Sequence, residues 1–234
     1  PSNMPTNFVY SLLFGLLSGN SNIVKVPSKK FPQIEIICQC IKKVLRKKIF
    51  LIMKDKIKII RYSNNDNCTK NISAICDARL IWGGNNSINE IRNFKLKERS
   101  IDLAFSDRFS FCIMDGKKIS SLNNFEIDRL IENFYNDTFL MDQNACSSPH
   151  LIVWINDRSC KGRNIFWEKL SMYTLNKYHP PEIASIDKYA MFCEDILNLE
   201  NIKSYKKFNN MIYTIALNKL NSKISNLRGR WGYF

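Results

Sequence analysis

The sequence is poor in the residues and motifs of a structural metal site. It contains two histidines, His150 and His179, and none of its eight cysteines stands in a Cys-x-x-Cys pair. Structural zinc sites draw mainly on such pairs and on histidine. We therefore expect no metal site in this chain.

Long hydrophobic runs are also missing. The longest apolar stretch, 8–17, is interrupted by Ser11 and Gly15, whereas a helix that crosses a bilayer needs about 20 apolar residues. This stretch predicts a buried helix rather than a membrane span. No signal peptide is recognisable, from which we expect a cytoplasmic, reducing compartment and free thiols. The start at Pro1 and the end at Phe234 both look cut, so we expect a piece of a longer protein.

Acidic residues are outnumbered, with 21 Asp and Glu against 35 Lys and Arg and a net charge of +14. The basic residues are spread along the chain, whereas a nucleic-acid-binding surface concentrates them on one element with interleaved aromatics. The densest run, 42–48, predicts the solvated face of a helix with Ile41, Val44, Leu45 and Ile49 on its inner side. We favour a basic surface without nucleic-acid binding, and attraction of an anionic partner or cofactor stays open.

Helix and strand patterns alternate along the chain, which predicts an α/β fold. An apolar strand at 78–82 runs into Gly83-Gly84 and a helix at 87–94, an order typical of a nucleotide-binding unit. The pattern changes after Arg99, and we place a domain boundary near 106–110. The other predicted elements are helices at 8–17, 31–46, 124–135, 164–177 and 182–197, and strands at 22–26, 56–62, 100–105, 110–114 and 151–155.

One loop carries the strongest candidate for chemistry. Cys146 lies in the segment Asp-Gln-Asn-Ala-Cys-Ser-Ser-Pro at 142–149, between a predicted helix and an apolar strand. Its small neighbours would let a substrate carbonyl approach the sulfur, and thiolate attack there would give a thiohemiacetal or a thioester. A cysteine taken at random is more often buried and inert, so the choice depends on the surrounding sequence.

The loop resembles the Gln-x-x-Cys active-site loop of aldehyde dehydrogenases, and three other segments resemble that superfamily in the same order. They are Pro-Ser-Asn-Met-Pro at 1–5, Gly-Asn…Lys-Val-Pro-Ser at 19–28 and Trp-Gly-Gly-Asn at 82–85. The amino-acid sequences of these segments are similar to those of the LuxC-type acyl-CoA reductases, the long-chain acyl-protein thioester reductases of bacterial bioluminescence. This resemblance implies an aldehyde-dehydrogenase-like α/β fold, with part of a Rossmann-like NADPH-binding domain at 1–106 and part of an α/β catalytic domain at 107–234.

The family pattern implies catalytic roles for Cys146 and Asn3, and a supporting role for two residues of the loop. Cys146 would accept the acyl group, while the Asn3 side-chain amide and the Cys146 backbone N–H would hold the oxyanion, where one donor contributes on the order of 3 kcal/mol. Gln143 and Asn144 would shape the loop around the nucleophile. Without the resemblance, we would favour Asn3 as a turn former between two prolines.

Four further residues match the family's cofactor positions. Lys25 and Ser28 match positions at the adenosine ribose, where a lysine and a hydroxyl would hold the 2′-phosphate of NADPH. Gly83 and Gly84 precede a predicted helix whose first N–H groups would favour phosphate. Alone, the first pair is equally explained as a solvated strand end, and a Gly-Gly pair is a weak signal.

The sequence departs from the family pattern at two places. Ser2 stands where a tryptophan is usual, which puts that cofactor contact in doubt. Ala104 stands where hydrolytic aldehyde dehydrogenases carry the water-activating Glu, which agrees with reduction rather than hydrolysis. A shift in the alignment would put Asp102 there instead. His150 begins a strand, and we favour a surface residue over a partner for Cys146.

The resemblance also implies partners. The substrate would be a long-chain acyl thioester, acyl-CoA or acyl-protein, which NADPH reduces to a fatty aldehyde. An acyl-protein synthetase or another acyl-transferring protein would be the donor, and a homo-oligomer is expected. Two alternatives stay open: a truncated, inactive relative that acts as a binding or assembly subunit, and a nucleic-acid-binding protein suggested by charge alone.

Overall fold

The computed structural model describes residues 4, 6–63, 67–220 and 227–234. The chain divides into two compact units, Pro1–Asp107 and Arg108–Phe234. Helices and parallel strand pairs occur in both units, which confirms the predicted α/β class. None of the helices in the described part of the chain is both long and apolar enough to cross a bilayer.

The first unit contains two parallel strand pairs, each closed by a helical crossover as parallel pairing requires. β1 (Asn22–Lys25) pairs with β2 (Ile57–Ile60), and β3 (Ala78–Gly83) pairs with β4 (Ile101–Ser106). Both strands of a pair therefore end at the same edge, where α/β proteins bind their ligands. The helices of this unit are α1 (Phe8–Leu17), α2 (Pro32–Leu45), α3 (Leu51–Lys54), α4 (Cys68–Ile75) and α5 (Asn85–Arg92), with a 3-10 helix at Lys48–Phe50.

A buried arginine ties the second strand pair to its helices. Arg79 of β3 donates to the Asp102 carboxylate of β4 at 2.7 Å, and to Ser73 Oγ of α4 at 3.1 Å. It also donates to the backbone carbonyls of Ile91 at 2.9 Å and Phe94 at 3.1 Å, at the end of α5. Asp102 is therefore engaged in holding the sheet to its helices.

The basic run at 42–48 differs from its prediction. Ile41 and Leu45 are half-buried, but Val44 is 44% exposed and Ile49 is 80% exposed. The inner stripe is interrupted because α2 ends at Leu45 and the chain continues in a 3-10 helix, whose turn does not keep the helical spacing. The expectation that Val44 and Ile49 face inward was therefore wrong.

The second unit joins a parallel strand pair to an antiparallel hairpin. β5 (Ser110–Asp115) pairs in parallel with β6 (Pro149–Ile155), and β7 (Ile202–Phe208) pairs with β8 (Ile212–Leu217). The helices are α6 (Gly116–Ser121), α7 (Asn124–Thr138), α8 (Lys161–Lys177) and α9 (Glu182–Asn198), with a 3-10 helix at Phe139–Met141.

An aromatic core lies between α7, α8 and the β5–β6 pair. Phe166 and Leu170 of α8 are fully buried, and the ring of Phe166 meets that of Phe134 of α7 edge to face at 5.1 Å. Asn123 and Glu126 cap the start of α7 reciprocally, a capping box. The core fixes the helix that leads into the Cys146 loop and, through Trp154, the strand that leaves it.

Residues 229–234, the C-terminal segment, lie beside β8. Tyr213 N–H donates to the Gly232 carbonyl at 2.9 Å, and Phe234 N–H donates to the Tyr213 carbonyl at 2.9 Å. Lys188 of α9, 2% exposed, donates to the carbonyls of Asn210 at 2.6 Å, Met211 at 2.9 Å and Trp231 at 3.0 Å. This lysine ties the hairpin turn to the C-terminal segment.

Candidate active site

Cys146 lies on an exposed loop between the 3-10 helix after α7 and the start of β6. Cys40 and Cys146 are exposed, whereas the other six cysteines are half-buried. Burial raises the pKa of Cys112 to about 11, and it also raises that of Cys38. Cys146 therefore presents its sulfur to solvent, as attack on a substrate carbonyl requires.

The loop begins with two residues in the left-handed region. Asp142 has φ 53° and Gln143 has φ 61°, a conformation that costs a non-glycine residue about 1 kcal/mol or more. Local bonds hold it: Gln143 N–H donates to the Thr138 carbonyl at 2.7 Å, and Tyr178 Oη donates to the Asp142 carboxylate at 2.5 Å. Burial and the Asp142 carboxylate raise the pKa of Tyr178, which keeps its hydroxyl a donor.

Gln143 joins the loop to the C-terminal segment. Its side chain is fully buried, and its Nε2 donates to the carbonyls of Pro149 at 3.0 Å and Tyr233 at 2.9 Å. Its Oε1 accepts from the N–H groups of Gly232 at 3.1 Å and Tyr233 at 3.2 Å. All four hydrogen-bonding positions of the amide are thus used. Asn144 makes a local bond, donating to the Asp142 carbonyl at 3.1 Å.

The other side of the loop is held by two serines. Ser110 of β5 donates to the Cys146 carbonyl at 2.5 Å, and the fully buried Ser148 donates to the Asp137 carbonyl at 2.7 Å. Ser148 N–H also donates to the Ala145 carbonyl at 3.0 Å, which closes a turn around Cys146. The backbone of the Cys146 loop is therefore fixed on both sides, while Cys146 itself is exposed.

His150 takes part in the packing of the second unit. It is the second residue of β6, its Nδ1 lies 3.1 Å from the Gly229 carbonyl, and its ring stacks on Phe109 at 5.7 Å. These contacts show that His150 has a structural role next to the Cys146 loop. Among the described residues, no three His, Cys, Asp or Glu side chains are grouped to hold a metal ion.

Lys25 and Ser28 come together at Tyr62, just past the carboxyl ends of β1 and β2. Lys25 Nζ lies 4.5 Å from the centre of the Tyr62 ring, and Ser28 Oγ donates to the Tyr62 carbonyl at 3.0 Å. Both side chains are exposed, so a ligand would reach them. The edge of a parallel pair, an ammonium and a hydroxyl fit a ribose phosphate.

Gly83 and Gly84 lie where β3 ends and α5 begins. Gly84 has φ −68° and ψ 160°, which any residue adopts, and a Cβ there would meet nothing within 4 Å. Neither backbone angle nor packing requires a glycine, so the open space beside the first turn of α5 suits a group from outside the chain. The helix start has no side-chain cap, which leaves N–H groups for a phosphate.

Two predicted positions have a different outcome. Asn3 and its neighbour Ser2 lie outside the described residues, so the role of Asn3 stays a prediction. Ala104 lies in β4 opposite Ile81, two residues from Asp102. The Asp102 carboxylate is ion-paired with Arg79 at 2.7 Å and Arg92 at 3.5 Å, an arrangement that suits a structural role better than that of a base.

Comparison with solved structures gives the fold. A benzaldehyde dehydrogenase of Corynebacterium glutamicum, described as NAD-dependent, has a TM-score of 0.63 at 12% identity, over 99% of this chain and 51% of its own. A mutant of proline utilization A (PutA) from Bradyrhizobium japonicum has a TM-score of 0.65 at 12% identity, over 100% of this chain and 24% of its own. The chain therefore has part of an aldehyde dehydrogenase fold and spans about half or less of these chains.

Family membership follows from the sequence itself. The family of acyl-CoA reductases (LuxC) matches residues 1–212. The chain belongs to this family, as its motifs predicted. No curated protein matches the sequence.

The roles of three residues that the structure places beside or behind these sites were not predicted from the sequence. Tyr62 ends a strand pattern and Tyr178 follows a helix, and neither position signals a role. Lys188 stands in a helical pattern where a lysine predicts an exposed face, yet it is buried.

Proposed function

We propose that this chain is the nucleophile-bearing part of a reductase that converts a long-chain acyl thioester to a fatty aldehyde. The observation that carries the proposal is Cys146, an exposed thiol on a loop fixed on both sides, in a chain of the acyl-CoA reductase family. The Cys146 thiolate would attack the acyl carbonyl of the donor, form a new thioester and expel the donor thiol. The donor would be acyl-CoA or an acylated protein.

The cofactor we propose is NADPH. Its adenosine end would be held at Lys25 and Ser28, and its phosphates by the N–H groups that follow Gly84. When bound, NADPH supplies the hydride that reduces the acyl carbonyl. The ammonium of Lys25 is the feature that favours NADPH over NADH, because it would pair with the additional 2′-phosphate.

A second feature is whether the chain offers a base that could activate water to hydrolyse the acyl-enzyme. A hydrolytic enzyme needs a positioned base, which contributes about 10²–10⁴-fold to the rate. Ala104 offers none, and the Asp102 carboxylate lies 2.7 Å from Arg79 Nη2. We therefore infer that the acyl group on Cys146 leaves as aldehyde rather than as acid.

The test uses the full-length protein with a long-chain acyl-CoA and NADPH, with the products separated by chromatography. We expect fatty aldehyde, reduced to background in Cys146→Ala and retained in Cys40→Ala, the other exposed thiol. Equal activity in both variants would remove Cys146 from the mechanism. A chain that never takes up an acyl group would favour the alternative of a binding or assembly subunit.

A further inference from the structure

A segment of the first unit combines positive charge with exposed apolar side chains. Residues 42–54 contain six Lys or Arg and no acidic residue. Among them, Ile49 and Ile52 are each 80% exposed, and Leu51 is 51% exposed. We call residues 42–54 the basic apolar face. Exposed apolar residues that follow one another between basic residues of the sequence require an explanation.

The basic apolar face is a folded turn. α2 ends at Leu45, and Lys47 N–H donates to the Val44 carbonyl at 3.1 Å, which turns the chain into the 3-10 helix and α3. At its far end, Asn22 N–H donates to the Lys56 carbonyl at 2.6 Å, which fixes the segment to β1. The isoleucines are therefore displayed by regular structure that both ends hold in place.

The charges of this face are not neutralised by the described residues around it. Lys42, Lys43, Arg46, Lys47 and Lys48 are all exposed, and none forms an ion pair within the described part of the chain. The acidic side chain of α2, Glu35, is instead paired with Arg61 at 2.8 Å. A partner that covers the face must therefore bring negative charge.

We propose that the basic apolar face docks on the surface of an anionic lipid bilayer. The interfacial layer of such a bilayer accepts apolar side chains, while its headgroups attract lysine and arginine. Such a bilayer would accommodate both kinds of side chain. Ile49, Leu51 and Ile52 would lie among the lipid chains, and the basic side chains would lie at the phosphates. An acidic protein would match the cations but offer less to the exposed row at 49–52. The proposal goes beyond the reduction proposed above and does not depend on it.

The test is cosedimentation of the full chain with vesicles. We expect binding to vesicles of equimolar phosphatidylglycerol and phosphatidylcholine, and little binding to phosphatidylcholine alone. Added salt should weaken binding, because it screens the attraction between exposed charges. No enzymatic activity enters this readout, so its failure and the failure of the proposed reaction are separate results.

Matched variants separate the two contributions. Ile49→Ser with Ile52→Ser keeps every charge and should weaken vesicle binding about tenfold or more, since two large apolar side chains no longer insert. The control is Ile183→Ser with Ile186→Ser on α9, which removes two isoleucines of 58% and 66% exposure from the second unit. The control should bind as the unmodified chain does, and circular dichroism checks that both variants fold.

Three outcomes would overturn the proposal. They are equal binding to neutral and anionic vesicles, undiminished binding by the Ile49 and Ile52 variant, and absence of binding to anionic vesicles. In the last case, capture by an acidic protein at low salt would assign the face to that partner class instead.

Discussion

The side-chain amide of Gln143 is bonded to the backbone of Tyr233 on both sides, with Nε2 donating to its carbonyl at 2.9 Å and Oε1 accepting from its N–H at 3.2 Å. Three residues after Gln143 comes Cys146, the proposed nucleophile. The loop that displays Cys146 thus depends on a chain segment 90 residues away.

Replacing Gln143 tests this dependence. Gln143→Ala removes the amide partner of the buried carbonyls of residues 149 and 233 and of the N–H of residue 232, each loss costing about 1–3 kcal/mol. We expect the free energy of unfolding to fall by about 3 kcal/mol and acyl transfer to Cys146 to slow. Urea unfolding and the acylation rate measure the two effects. Asn144→Ala, which removes one local bond, is the control, and an equal loss in both variants would contradict the role of Gln143.

Lys188 makes the stability of the second unit depend on pH. Burial lowers its pKa to about 8, although its three carbonyl partners favour the charged form. In the unfolded chain, a lysine has a pKa near 10.4. Between about pH 8 and 10, Lys188 is therefore more fully protonated in the unfolded chain than in the folded chain. The free energy of unfolding should therefore rise with pH in this window, by at most about 1.4 kcal/mol per unit.

Lys188→Met removes this dependence. The free energy of unfolding of the unmodified chain, minus that of the variant, should therefore rise from about pH 8 to 10. Urea unfolding at several pH values measures it, with the exposed Lys203→Met as the control. A difference that stays constant would mean that Lys188 keeps its charge in the folded state throughout.

The pair formed by the buried Arg79 and the half-buried Asp102 gives a prediction of the same sign at acidic pH. The hydrogen bond and the charge of Arg79 hold the pKa of Asp102 below its usual value. Its contribution is therefore complete above about pH 4 and is lost as the pH falls through the lowered folded pKa. Asp102→Asn should cost about 3 kcal/mol or more at neutral pH, because a buried arginine loses its counter-charge.

The control for this pair is Asp77→Asn, because the Asp77 carboxylate is 92% exposed where it meets Lys97. Surface pairs of this kind contribute little. Chemical unfolding at neutral and acidic pH measures both variants. A loss of acyl-enzyme hydrolysis in Asp102→Asn, without a change in stability, would show instead that Asp102 is a base.

Lys25 should discriminate between the two nicotinamide cofactors. Lys25→Ala removes the ammonium that we propose as a partner of the 2′-phosphate, and it is expected to weaken NADPH binding about tenfold or more, with NADH binding little changed. Fluorescence titration measures both dissociation constants without turnover, and exposed Lys30→Ala is the control. Equal weakening for NADPH and NADH would mean that Lys25 contacts a shared group or none.

Local sequence patterns predicted much of the fold. The helix at Phe8–Leu17 matches its prediction at both ends, and the strand at Ala78–Gly83 ends at the glycines that marked it. Apolar periodicity and glycine turns act over a few residues, so they can be seen in the sequence. The Cys146 loop was found because its sequence resembles the active-site loop of a known family.

Long-range contacts explain what was missed. The β7–β8 hairpin was not assigned, because the lysine-rich β7 lacks a clear apolar alternation, although Asn209-Asn210 between two β-rich runs is a turn signal. The burial of Lys188 depends on carbonyls 22 to 43 residues away. No local pattern carries such information.

The most direct test of the account is a single-turnover experiment with a labelled long-chain acyl-CoA and no NADPH. The account predicts one acylated peptide, containing Cys146, through a bond that hydroxylamine cleaves, absent from Cys146→Ala and present in Cys40→Ala. The label should persist until NADPH is added and then leave as fatty aldehyde. Rapid release of free fatty acid without NADPH, or acylation that survives Cys146→Ala, would contradict it.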